Sequence, residues 1–184
     1  MTDLPEPVRR FHSTRVALVT RGRADITQAP SRMARLLCLL AGLPKPGRDV
    51  SCSVVFTPLG DGREHWAREF AGRRYTSVMR ASSPPTPNPS PQRGGDHPHL
   101  IERFGPLGVF NLHFRLTPNA RGLEWSLMVW DLLGVPLPAA SVPSIECLES
   151  GDGARFRFDI DVGFPLIGPV IHYSGWLMAD EPAA

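Results

Sequence analysis

Ala154-Arg155-Phe156-Arg157-Phe158-Asp159-Ile160-Asp161-Val162 decides the fold. Phe156, Phe158, Ile160 and Val162 fall on one side and Arg155, Arg157, Asp159 and Asp161 on the other. Strict alternation of this kind is the mark of an antiparallel strand with one face buried and one in water. The same period returns in Phe110, Leu112, Phe114 and Leu116, set against Asn111, His113 and Arg115. Cys52, Val54 and Phe56 form a third inward set, and Leu123, Trp125, Leu127 and Val129 a fourth. Gly60-Asp61-Gly62, Ala71-Gly72, Pro118-Asn119 and Gly151-Asp152-Gly153 supply turn chemistry between the runs. With 16–26 and 170–178 added, the chain predicts about eight or nine strands.

One main helix interrupts them. Pro30 and Ser31 provide a start, Met33, Leu36, Leu37, Leu40 and Leu43 recur at helical spacing, and Gly42, Pro44 and Pro46 provide a stop. Leu39 widens the apolar face, which predicts a helix well buried against the sheet. Pro5 to Phe11 offers a second, short helical turn. The expected class is α+β, predominantly antiparallel β: a strongly curved sheet or open barrel with one main buried helix.

The 184 residues predict a single domain over 1–184, able to build its own core. Within it, 82–99 reads SSPPTPNPSPQRGGDHPH, with six prolines and no core-forming side chain, which predicts a proline-rich flexible insertion. Apolar residues are 42% and charged residues 21% of the chain, an ordinary globular balance. The apolar run from Leu36 to Leu43 is too short to span a bilayer, and no apolar stretch follows Met1. Cys38, Cys52 and Cys147 are odd in number and widely spaced, as expected of free thiols in a reducing compartment. The expected location is the cytoplasm.

Charge is divided unevenly. Residues 1–82 hold thirteen Arg and one Lys against seven acids, and 83–184 hold six Arg against eleven acids. The basic residues are scattered and only Phe11 offers a stacking ring near Arg9 and Arg10, so nucleic acid is not an expected partner. Nucleotide-binding, hydrolase and zinc-protease motifs are missing, and no cofactor or metal is expected. His97 and His99 form an H-x-H without a third ligand nearby.

Polar residues within the alternating runs mark the candidate site. Trp66, Arg68 and Phe70 share a face, and an inward Arg needs an acidic partner or an anionic ligand; Glu102 is the candidate partner. On the last strand, His172, Ser174 and Trp176 share one face, and Ile171, Tyr173 and Leu177 the other. Alternation does not say which face points inward. Trp66, Arg68, Glu102, His172, Tyr173 and Trp176 are the candidate ligand-binding residues.

Several ordered pieces carry a resemblance. They are Arg21-Gly22-Arg23-Ala24-Asp25-Ile26, the leucine helix closing in Ala41-Gly42-Leu43-Pro44, and Trp66-Ala67-Arg68-Glu69-Phe70 with Gly72-Arg73-Arg74-Tyr75. Glu102 to Leu107, Val135 to Pro138, Phe156 to Ile160 and Phe164 to Leu177 continue the series. Together they resemble the bacterial family called domain of unknown function 4166, over almost the whole chain except 82–99. The resemblance implies domains that occur alone or behind dehydrogenase-like nucleotide-binding domains, with no established activity. Trp66, Arg68, Glu102, Gly105, Pro165, Gly168, Tyr173 and Gly175 match its recurring pattern.

Three functions are therefore weighed. The first is a non-catalytic domain holding a small hydrophobic or amphipathic ligand inside a curved sheet, its polar end met by Arg68, Glu102 and His172. The second is an interaction module for a dehydrogenase-like partner. The third is an acid–base enzyme pairing His172 with Glu102, which requires the two side chains to meet.

Overall fold

The computed structural model describes residues 4–13, 15–82, 99–105 and 108–180. The helix α1 (Glu6–Phe11) and strand β1 (Leu18–Gln28) lead to α2 (Arg32–Leu40). A meander follows: β2 (Gly47–Gly60), β3 (Arg63–Phe70), β4 (Arg73–Ser82), β5 (His99–Phe104), β6 (Phe110–Asn119) and β7 (Gly122–Leu132). The short β8 (Val135–Pro136) precedes β9 (Ser144–Asp152), β10 (Arg155–Phe164) and β11 (Gly168–Ala179).

Every pairing is antiparallel, in the order β6-β5-β4-β3-β2-β1-β11-β10-β9-β7, and β7 also pairs with β6. Ten strands thus close on themselves, with β8 added at the end of β7. The expected open barrel is closed, which leaves no free edge among those ten strands. The strand count exceeds the expected eight or nine because β8 has two residues and β5 six, too few to display a clear period. The expected insertion lies outside the described residues except for its ends, and Ser82 and His99 pair at the β4–β5 junction.

Alternation sorts the wall. Phe114, Trp125, Phe156 and Phe158 point inward and are buried, whereas Arg155, Arg157, Asp159 and Asp161 point outward. The wall is apolar inside and charged outside, the reverse of what a lipid-embedded barrel needs. Among the described residues no helix is long and apolar enough to cross a membrane.

The helices sit at opposite ends. Antiparallel order places the start of β1 and the ends of β2 and β9 at one end, where α1 packs on β9 and β10. Phe11 stacks on Phe156 at 4.4 Å and meets Phe56 edge-on at 5.4 Å, so α1 forms a floor. At the other end α2 packs on β11. Ser31 caps it by accepting from the Ala34 amide at 3.0 Å. Gly42, at φ +71°, ends it with bonds from Gly42 N to Leu39 O and from Leu43 N to Cys38 O. The expectation of a buried helix is corrected: only Ala34 and Cys38 of α2 are buried, while Met33, Leu36, Leu39 and Leu40 are exposed. The helix lies over the barrel mouth and touches the wall along a narrow stripe, so its wide apolar face has no second layer to cover it.

Candidate functional site

A cavity of about 500 Å³ occupies the barrel interior. It runs from Phe56, Trp66 and Trp125 above the floor to Phe104, Trp130 and Phe164 near the mouth. Leu40 of α2 also lines it and is 62% exposed, so the space reaches the surface beside that helix. Its walls are mostly aliphatic and aromatic, and its volume falls in the range of small-molecule pockets.

The polar exceptions converge. Arg68 on β3 and Glu102 on β5 reach across β4 and meet at 3.2 Å, each side chain 13% exposed. Arg68 also donates to the Ser77 hydroxyl at 2.7 Å, and its guanidinium lies 4.8 Å from the Trp66 ring and 5.4 Å from that of Tyr75. Burial opposes the Arg68 charge, but Glu102 outweighs it and raises the guanidinium pKa further. Burial also pushes the Tyr75 and Tyr173 phenols up, against the pull of Arg68, so both remain neutral donors. Among the described residues Trp125 Nε1 is a buried donor without a hydrogen-bond partner, and the buried Tyr75 hydroxyl interacts with the Tyr173 phenol. All three side chains line the cavity.

A second pair marks the floor. His12, just past α1, meets Glu149 of β9 at 2.5 Å, beside the rings of Trp66 and Trp125. Burial disfavours the imidazolium, yet the Glu149 carboxylate and its hydrogen bond more than offset this and raise the His12 pKa above 6.5. Cys147, on the same strand as Glu149, lines the wall, and burial pushes its thiol up.

The candidate residues from the sequence divide by face. Trp66, Arg68, Glu102 and Tyr173 all line the cavity. His172 and Trp176 do not, because Tyr173 and Leu177 take the inward positions of β11 and turn their neighbours outward. His172 binds Asp159 at 3.0 Å on the outer wall, and Trp176 lies under the Arg155 guanidinium at 4.5 Å. His172 and Glu102 are thus on opposite faces of the wall, and the acid–base pairing has no geometry to support it. Asp159, Asp161 and His172 could offer a cation three ligand atoms within 4.8 Å of one another, all on the outer surface. His97 lies outside the described residues.

Sequence reasoning gave no site role to Tyr75, Ser77, His12, Cys147 and Glu149. Cys147 and Glu149 were within reach, since they continue the alternation of Ile145 along β9. His12 belongs to no strand, and nothing local marks it.

A ten-stranded up-and-down barrel, floored by one helix and spanned at its mouth by another, around an apolar cavity with a buried ion pair: this is the class of protein the fold defines. The chain belongs to the family described as domain of unknown function (DUF4166), whose model matches residues 4–177. Comparison with curated proteins returns no match.

Proposed function

We propose that this barrel holds a small hydrophobic or amphipathic molecule in its interior. The observation that carries the reading is the cavity of about 500 Å³, apolar over most of its wall and reaching the surface beside α2. An apolar wall of this kind gains contacts when a ligand packs against it.

The polar cluster narrows the ligand. Arg68 and Glu102 neutralise one another, so a free carboxylate entering beside them would add an uncompensated buried charge. An uncharged oxygen, as in an alcohol, ester or ketone, fits better, because Glu102 and Ser77 engage only part of the five N–H donors of Arg68. The Tyr75 hydroxyl, beside the Tyr173 phenol, adds a further polar contact. Trp66 and Tyr173 complete the ligand-facing set; His172 and Trp176, on the outer wall, are not part of it.

Native mass spectrometry, followed by organic extraction of the purified chain, tests this reading. A stoichiometric apolar or amphipathic compound, uncharged at its polar end and released on unfolding, is the expected result. A released carboxylic acid would retain the cavity and overturn the neutral-head assignment.

A further inference from the structure

We infer that the α2 end of the barrel is a docking surface for anionic lipid bilayers. Met33, Leu36, Leu39 and Leu40 are exposed along α2, the last two at 62%. At the same end, Leu133 tips the β7–β8 turn and Leu166, fully exposed, tips the β10–β11 turn. Both turn leucines sit at positive φ, +52° and +65°, where Gly or Asn is the usual choice. Leucine at such a tip adds apolar surface where the backbone would favour its absence.

Charge complementarity selects the partner. From Pro30 to Arg48 the chain carries Arg32, Arg35, Lys45 and Arg48 and no acid, and Arg73 reaches over to donate to the Leu39 carbonyl. Among the described residues no carboxylate lies within 4 Å of the charged groups of these five cations. The first turn of α2 holds Arg32 and no acid, against the sign its helix dipole prefers. Short apolar prongs from three separate segments, with cations at the same end that no carboxylate pairs, suit insertion among anionic headgroups better than the flat face of a protein partner. Since the cavity reaches the surface beside Leu40, docking there would bring its mouth to the bilayer.

Vesicle flotation of the full chain tests the inference and needs no ligand in the cavity, so it succeeds or fails independently of the binding reading. Vesicles of phosphatidylcholine with phosphatidylglycerol should carry the protein, pure phosphatidylcholine vesicles much less, and added salt should release it. Leu39→Asp with Leu166→Asp should weaken binding by about tenfold or more. Arg32→Gln with Arg35→Gln should weaken it and flatten the salt dependence. All four sites are exposed, so unchanged thermal midpoints would show that the variants fold, and Met178→Asp on the outer wall should bind as wild type. Absence of flotation, or flotation indifferent to both pairs, would overturn the inference. So would a dimer dissolved by Leu39→Asp, or a complex with a dehydrogenase-like domain in place of vesicle binding, since either gives the face to a protein.

Discussion

Arg68 keeps its charge inside the barrel whatever faces it, so its burial depends on compensation by Glu102, and that dependence is measurable. Removing one partner leaves the other as an isolated buried charge, so Arg68→Met or Glu102→Gln should each cost about 3–5 kcal/mol in urea unfolding. The double variant Arg68→Met/Glu102→Leu should recover most of this loss, because a well-packed apolar pair is close to neutral in cost. Independent, additive losses would show that the pair is not coupled. The floor pair works through protonation. The folded His12 pKa lies above its ordinary 6.5, so its contribution to stability is fully present below that value and is lost as pH rises through the raised folded value. Asp131 has the opposite sign. Burial pushes its carboxyl up, but bonds from His113, Asn111 and the Gly134 amide outweigh this and hold it below 3.8. Its contribution is present above that value and is lost as pH falls through the lowered folded one. Unfolding midpoints across pH should therefore decline on both sides, and His12→Gln should flatten the alkaline limb alone.

At the scale of elements, the floor helix is held mainly by one ring. Phe11 is buried between Phe156 and Phe56, and Phe11→Ala should cost about 3–5 kcal/mol in the same unfolding experiment. The β1–β11 seam is equally demanding. A Cβ on Gly22 would stand 1.7 Å from the Trp176 carbonyl oxygen, so Gly22→Ala must push these strands apart. A loss of about 2–3 kcal/mol is expected, and an unchanged midpoint would contradict this account of the seam. These elements also show how far the sequence could be read. Period two marks Phe156, Phe158, Phe114 and Trp125 as inward because each strand face meets one environment along its length. The same rule fails at Val129. The β6–β7 register slips between His113 and Phe114, which turns Val129 outward and Trp130 into the cavity. A bulge is a property of two strands together, and neither strand announces it alone. Arg68 and Glu102 were legible as partners because an inward Arg requires one. The α2 leucines were misread since periodicity says which residues share a face, not whether anything covers it.

At the scale of the whole molecule, the inner wall should be chemically quiet and physically accommodating. Burial pushes the Cys52 thiol up to about 12 and raises those of Cys38 and Cys147. All three should therefore resist a thiol-specific disulfide reagent at neutral pH in the folded protein and react promptly once it unfolds. The barrel interior, on this reading, is a binding space rather than a packing defect. The most direct measurement is titration of the protein with an uncharged solvatochromic dye, wild type against Val162→Trp, which places a large ring into the cavity wall near the mouth. Saturable binding of one dye by the wild-type barrel is expected, with its loss in a Val162→Trp variant that retains a cooperative thermal transition. Failure of the wild-type protein to bind the dye, or equal binding by the folded variant, would contradict this reading.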